Sequence, residues 1–161
     1  MSETKQPSCA DLVQQKFNET EQDYKDARDY YDGSQREEHD QFDGYEDLYD
    51  YVNQTALSWD YVEKGTFNDS RRSRIRFESY DPTFWYINQE RGYFRLQLSW
   101  GGPGDEFRIY VDYDKSIDYI EYWYLDWYDG ASVRIGSDTE SYDICRDFLE
   151  VALTATNPPP F

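Results

Sequence analysis

The chain has 161 residues and a formal net charge of −18 at pH 7, from 34 acidic and 16 basic residues. Ordinary binding to nucleic acid or to an anionic membrane surface is excluded by this charge, because phosphates would be repelled. Aromatic residues make up 19% of the chain, which is too many for a disordered acidic chain, and the length is that of one ordinary domain.

The acidic charge is concentrated towards the N-terminus. Residues 1–70 hold 18 acidic and 6 basic residues, a net of −12, whereas residues 71–161 have a net of −6. We expect a single domain over residues 1–161, with an acidic helical part (1–70), an antiparallel sheet (71–136), a C-terminal helix (137–154) and a proline-rich tail (155–161).

The N-terminal part shows helical periodicity. Ser8 and Asp11 form a capping-box pattern, and Asp32-Gly33-Ser34 marks the helix end. Between them one apolar stripe recurs every three or four residues: Val13, Phe17, Thr20, Tyr24, Ala27 and Tyr31. A second helix is predicted to begin at Asp43, with Glu46 three residues on, and to bury Tyr45, Leu48, Tyr49 and Val52.

The middle of the chain alternates with a period of two. Residues 92–100 and 106–113 each place apolar side chains on one face and polar ones, including Arg95 and Arg108, on the other. The glycine-rich loop from Gly101 to Gly104 joins them as a hairpin, and Trp100 at its base is a candidate contact residue. Shorter strands are predicted at 74–79 and 83–88. Four arginines lie just before or within the first of these strands: Arg71, Arg72, Arg74 and Arg76. Together with Arg95 and Arg108, they are expected to form ion pairs with nearby acidic side chains.

The stretch 116–130 has aromatic residues on both faces, with Tyr119, Trp123, Leu125 and Trp127 on one side and Ile120, Tyr122 and Tyr124 on the other. One face meets the core, and we expect the N-terminal helices to cover the other rather than leave it open. Ser137 and Glu140 then form a second capping-box pattern before a stripe of Cys145, Phe148, Leu149 and Ala152. The fold class predicted is α+β, with N-terminal acidic helices, a central antiparallel meander of four to five strands and a C-terminal helix packed on the sheet.

No catalytic or metal motif stands out. The one histidine, His39, lies in a charged stretch without a supporting apolar element, so a solvated role is expected. Asp112, Asp114, Ser116 and Asp118 alternate as in a calcium loop, but Ile117 and Trp123 occupy positions that need glycine and glutamate, which favours a hairpin turn. The two cysteines, Cys9 and Cys145, lack metal spacing and are expected to be packing residues. No enzyme activity, cofactor or metal is predicted.

The strongest functional signal is the density of carboxylates between residues 19 and 50. This stretch has 13 acidic residues against three basic ones, and like charges three and four residues apart destabilise a helix. A basic partner would compensate that destabilisation. A solvated face, or adaptation to a high-salt cytoplasm, is the alternative explanation. The candidate partner-binding residues are Glu19, Asp23, Asp26, Asp29, Glu37, Glu38, Asp43, Glu46, Asp47 and Asp50.

In its acidity, small size and aromatic content, the chain resembles the DNA-mimic inhibitors that phages and plasmids use, the anti-restriction and anti-CRISPR proteins. The resemblance covers composition and the acidic segment and includes no motif. It implies a stoichiometric inhibitor in the host cytoplasm that occludes the basic groove of a nuclease, CRISPR effector or restriction enzyme, with exposed Tyr and Trp as anchors. It implies neither direct nucleic-acid binding nor membrane binding. The alternatives are an immunity protein against a nuclease toxin and a carbohydrate-binding domain or hydrolase that uses Trp/Tyr with carboxylates.

Overall fold

The computed structural model describes residues 7–33, 40–62, 92–100, 103–126 and 129–155. These residues form a sheet of five antiparallel strands whose spatial order is their order in the chain. The predicted α+β class, a meander with helices on either side of it in sequence, is confirmed. The elements are α1 (Cys9–Tyr31), a short 3-10 helix (Asp40–Phe42), α2 (Leu48–Thr55), β1 (Ser58–Val62), β2 (Tyr93–Ser99), β3 (Gly104–Val111), β4 (Ile117–Asp126), β5 (Asp129–Arg134) and α3 (Glu140–Ala155).

Helix α1 begins and ends where the sequence predicts. The Ser8 hydroxyl accepts a hydrogen bond from the Asp11 backbone N–H at 3.2 Å, and the Asp11 carboxylate accepts one from the Ser8 backbone N–H at 3.0 Å. At the other end the chain leaves the helix through Gly33, whose φ of 90° lies in the left-handed region that favours glycine. The predicted apolar stripe is confirmed, with Val13, Phe17, Tyr24 and Ala27 buried.

Helix α1 packs across one face of the sheet. The Phe17 ring lies 6.5 Å from Phe107 on β3 and 5.7 Å from Tyr122 on β4, and the Tyr24 ring lies 6.4 Å from Phe107. Edge-to-face and tilted contacts of this kind add to the burial of apolar area. The same sheet face supplies the most buried aliphatic side chains of the core, Leu96, Ile109 and Ile120.

The second helix is shorter than predicted. It begins at Leu48 rather than at Asp43, because Gly44 adopts a φ of 92° that a right-handed helix cannot contain. The Asp47 side chain accepts a hydrogen bond from the Asp50 backbone N–H at 2.8 Å. Asp47, which the sequence places inside the helix, is therefore its N-cap. Leu48 and Val52 are buried as expected.

The sheet also begins earlier than predicted. Strand β1, Ser58–Val62, falls inside the part assigned to acidic helices and pairs with β2, with Trp59 opposite Leu96. Its polar residues Ser58 and Asp60 alternate with Trp59 and Tyr61. This alternation extends over only a few residues directly after a helical segment, so the sequence does not clearly indicate a strand there. The boundary of the helical part therefore lies before residue 58 rather than at residue 70.

The C-terminal helix is capped by a side chain from α1. It begins at Glu140, and the predicted Ser137–Glu140 capping box does not form. Instead, the buried Glu21 carboxylate accepts hydrogen bonds from the backbone N–H groups of Glu140 and Ser141 at 2.9 Å each, and from the Ser141 hydroxyl at 2.6 Å. Thr139 adds a bond from the Tyr142 N–H at 3.2 Å. The predicted stripe of Cys145, Phe148 and Leu149 is buried.

Some predictions fall outside the described residues. They are the predicted strands at 74–79 and 83–88, the four arginines Arg71, Arg72, Arg74 and Arg76, the residues Glu37, Glu38 and His39, Trp127, and the tail after residue 155. Among the helices of the described ranges, none combines the length and the apolar character that crossing a membrane requires.

Candidate functional site

The two acidic segments lie next to each other in the structure. Residues 40–50 pack against the C-terminal half of α1, where the Tyr30 hydroxyl donates a hydrogen bond to Asp43 and the Tyr31 hydroxyl donates one to the Phe42 carbonyl at 2.8 Å. We call the eight candidate carboxylates that the structure describes the acidic surface. Six of them are exposed and two, Asp26 and Asp50, are half-buried. The members are Glu19, Asp23, Asp26, Asp29, Asp43, Glu46, Asp47 and Asp50.

The carboxylates of the acidic surface differ in whether they already form hydrogen bonds or ion pairs within the protein. Asp50 accepts hydrogen bonds from the Glu46 N–H and the Gln54 side chain, which lower the pKa of its carboxyl, the Gln54 bond contributing most. Glu19 lies 3.6 Å from the Lys16 ammonium. Asp23 and Asp29 have no ion pair or hydrogen bond with the described part of the chain. The surface thus combines carboxylates with a structural role and carboxylates that are free for a partner.

Asp47 lets the capping role be separated from the charge. Asp47→Asn keeps a side-chain oxygen for the Asp50 N–H and should lower the free energy of unfolding by only a few tenths of a kcal/mol, whereas Asp47→Ala should lower it by about 1 kcal/mol. Both variants remove one negative charge, so urea denaturation at low and moderate salt compares them directly. Equal losses in the two variants would mean that the charge, and not the cap, stabilises α2.

A groove opens at one end of the acidic surface, between α1, α2 and the β2–β3 end of the sheet. It has a volume of about 170 Å³ and is lined by Thr20, Asp23, Tyr24, Tyr51, Thr55, Ala56, Leu98 and Asp105. We call it the acidic groove. Its two carboxylates come from residues 82 positions apart in sequence, which is why no local pattern indicates it.

The two carboxylates of the groove, Asp23 and Asp105, differ in the hydrogen-bond donors that surround them. The Asp105 carboxylate accepts a hydrogen bond from the Tyr122 hydroxyl at 2.6 Å and a second from the Ser99 hydroxyl. Asp23 has no such donors, and partial burial, with repulsion from Asp26 and Glu19, raises the pKa of its carboxyl. Asp105 is therefore a fixed wall of the groove, and Asp23 is a carboxylate whose charge is poorly compensated.

Two exposed apolar side chains lie within two residues of groove residues in the sequence. Leu57 directly follows the groove residue Ala56 and is 56% exposed, and Trp100 follows Ser99 and is 79% exposed. Gly104 lets the start of β3 approach Ser99 and Trp100 closely, because a Cβ there would lie 2.9 Å from the Ser99 carbonyl oxygen and 3.2 Å from the Trp100 Cα. The expectation that Trp100 forms a contact at the base of the glycine-rich loop stays a prediction, and its exposure favours it.

The opposite face of the sheet has a different character. Arg95 pairs with Asp60 at 2.6 Å, and Arg108 donates to Glu106 at 2.7 Å, so the predicted pairing of these arginines is confirmed. Arg108 also stacks on Trp123, with 4.1 Å between its guanidinium carbon and the ring centroid. The sequence predicts that the N-terminal helices cover the aromatic face of β4 that does not meet the core, but α1 packs on the core face itself, where Phe17 contacts Tyr122, so this prediction is wrong for α1.

The remaining sequence candidates have structural roles. Residues 112–116 form the turn of the β3–β4 hairpin, where the Ser116 N–H and hydroxyl both donate to Asp114. Both cysteines are buried, and burial, with the nearby Asp129, raises the pKa of the Cys9 thiol to about 12. These observations agree with the predicted hairpin and with packing roles for the thiols.

Comparison of the chain with protein-family models, with curated proteins and with solved structures finds no match in any of the three. The assignment of function therefore rests on the charge, exposure and geometry of this chain itself.

Proposed function

We propose that this protein is a stoichiometric inhibitor of a host nucleic-acid-binding defence complex, of the anti-CRISPR or anti-restriction kind. Its acidic surface would occlude a basic groove in the cytoplasm of the host cell by mimicking the charge of nucleic acid. The observation that carries the proposal is the juxtaposition of exposed carboxylates from α1 and from residues 43–50 on adjoining segments, with Asp23 and Asp29 unpaired among the described residues.

The spacing of the carboxylates supports charge mimicry. Residues three and four apart on a helix lie about 5–6 Å apart, and phosphates follow a DNA strand at about 3.4 Å each. The two ladders of charge are similar in scale without matching step for step. A surface of this kind accelerates association with a basic protein by electrostatic steering and rejects acidic partners.

The anchors of such an interface would be aromatic. Trp100 and Leu57 are exposed and lie close in sequence to the groove residues Leu98 and Ala56, and Trp residues dominate the binding energy of many interfaces once they are desolvated. Charge supplies the approach and orientation, and a few apolar contacts then set the lifetime of the complex. The arrangement needs no catalytic group, cofactor or metal.

A transformation assay tests the proposal. Cells with an active CRISPR or restriction system would take up a targeted plasmid as well as an untargeted one when the protein is expressed. Reversing Glu19, Asp26, Asp29 and Glu46 to lysine should return uptake to the restricted level, because like-charge contacts raise the Kd by about 100-fold or more. These four residues are neither helix caps nor groove residues in the structure.

A control with the same net charge makes the assay specific. Reversing four exposed acids elsewhere, Asp112, Asp118, Asp138 and Glu150, should leave protection unchanged. Protection that survives in the folded acidic-surface variant, or that fails equally in both variants, contradicts charge mimicry by this surface. Retrieval of a nuclease toxin as the direct target would favour an immunity protein, which uses the same physics on a different partner.

A further inference from the structure

The acidic groove differs from the rest of the acidic surface because it is concave and lined by three kinds of group. Carboxylates enter it from α1 and from β3, through Asp23 and Asp105, and hydroxyls from Thr20 and Thr55. Aromatic surface comes from Tyr24 and Tyr51. Carboxylates beside aromatic rings are the surroundings that an organic cation prefers, since the ring face and the carboxylate both attract positive charge.

One hydroxyl in the wall of the groove makes no hydrogen bond with the described part of the chain. The Tyr24 side chain is only 6% exposed, and its ring packs on Phe107, yet its hydroxyl makes no hydrogen bond with any described residue. The hydroxyl oxygen itself keeps contact with solvent, so a ligand in the groove can replace water and donate a hydrogen bond to it. Burial, with the nearby charge of Asp105, raises the pKa of Tyr24 well above its usual value, so this hydroxyl keeps its proton.

We propose that the acidic groove binds the guanidinium group of one arginine from the protein partner, as the specific contact within an otherwise general charge surface. This inference rests on the proposed function for the identity of the partner. Arginine fits better than lysine because its planar guanidinium carries five N–H donors and stacks on aromatic rings. A groove of about 170 Å³ has room for that head group.

The state of Asp23 supports the same occupant. Its carboxyl has a raised pKa because it is partly buried and repelled by Asp26 and Glu19, and no cation of the described chain lies within ion-pair distance of it. A guanidinium in the groove would relieve that repulsion and lower the pKa. Binding should therefore weaken as the pH falls and Asp23 takes up a proton.

The test uses methylguanidinium and the full-length protein, with no partner present. Titration followed by amide chemical shifts should show saturable, millimolar binding, with the largest shifts at Thr20, Asp23, Thr55 and Asp105. Sodium chloride at equal ionic strength corrects for general screening. Methylammonium should bind several-fold more weakly. The side-chain carboxyl signal of Asp23 should titrate at lower pH when methylguanidinium is present.

Matched variants localise the binding. Asp23→Asn should weaken binding by at least fivefold, whereas Asp29→Asn removes the same charge from the same helix outside the groove and should change it by less than twofold. Tyr24→Phe, which removes only the hydroxyl, should weaken it measurably. If a variant does not fold, the wild-type shift map and the Asp23 titration decide the question.

Three results would overturn the proposal: shifts spread evenly over all exposed acids, equal weakening by the two aspartate variants, or tighter binding of glucose or methylammonium than of methylguanidinium. The binding test and the transformation assay distinguish failure of the groove proposal from failure of the proposed function. Failure here while the four-lysine variant still loses protection would reject the groove and keep charge mimicry. Binding here while that variant still protects would reject charge mimicry and leave the groove as a cation site.

Discussion

Replacing Arg108 with alanine is expected to lower the free energy of unfolding by about 3–5 kcal/mol, because it leaves the Glu106 carboxylate buried without its charge partner. Arg108 is 6% exposed and Glu106 is 3% exposed, and the Arg108 Nε donates to a Glu106 oxygen at 2.7 Å. A carboxylate held in this position cannot recover its hydration when the guanidinium is removed.

The guanidinium is also held between two aromatic rings. Its carbon lies 4.1 Å from the centroid of Trp123 and 4.8 Å from that of Tyr93. Burial, the largest single influence, would lower the pKa of Arg108, but the charge and hydrogen bond of Glu106 together with Tyr93 and Tyr110 outweigh it, and the pKa is raised. Arg108→Lys should therefore be destabilising as well, because an ammonium keeps the charge and loses both the planar stack and the bond geometry.

Two comparisons make the Arg108 prediction decisive. Arg95→Ala removes a partly exposed arginine from the same sheet face and from a pair with Asp60, and should cost only about 0–1 kcal/mol. The double replacement of Glu106 by leucine and Arg108 by methionine removes both charges and should lie within about 1 kcal/mol of wild type. Urea unfolding measures all of them. A loss for Arg108→Ala no larger than for Arg95→Ala would mean that the pair is hydrated.

The contrast between Arg95 and Arg108 also shows how far the sequence predicts this fold. The alternation with a period of two assigns both arginines to the face opposite Leu96 and Ile109, and the structure confirms this. The alternation does not distinguish a half-exposed arginine from a buried one. It predicts which face of the sheet a side chain lies on, but not which other part of the protein covers that face. The outward face of β3 is polar in sequence and buried in the structure.

Part of the candidate site is likewise predictable from the sequence, and part depends on tertiary packing. Helical spacing alone predicts that Glu19, Asp23 and Asp29 are exposed on α1, and the structure confirms it. The acidic groove could not be predicted, because Asp23 and Asp105 meet only through tertiary packing. Glu21 is one of the 13 acidic residues between residues 19 and 50, yet it lies four residues after Phe17 and three before Tyr24, on the apolar stripe. A carboxylate in that position was the available signal for a buried cap.

Glu21→Ala is the second large effect that we expect, a loss of about 2–4 kcal/mol in the free energy of unfolding. Its carboxylate accepts three hydrogen bonds at the N-terminus of α3, from Glu140 N–H, Ser141 N–H and Ser141 hydroxyl. Hydrogen bonds to a charged group contribute about 1.5–3 kcal/mol each without adding fully, and a negative charge at a helix N-terminus contributes further. Glu21→Gln keeps one acceptor oxygen and should lose about half as much.

The readout that separates this cap from a general loss of charge is the exposure of Cys145. This thiol on α3 is fully buried, so it should react with a thiol reagent in Glu21→Ala far faster than in wild type, measured in a Cys9→Ala background. Glu140→Gln is the matched control, because it breaks the half-exposed pair with Arg28 at 3.1 Å and should cost at most about 1 kcal/mol. Cys145 protection that is unchanged in Glu21→Ala would show that apolar packing alone docks α3. In that case the buried carboxylate would have to be explained by something other than the helix that it caps.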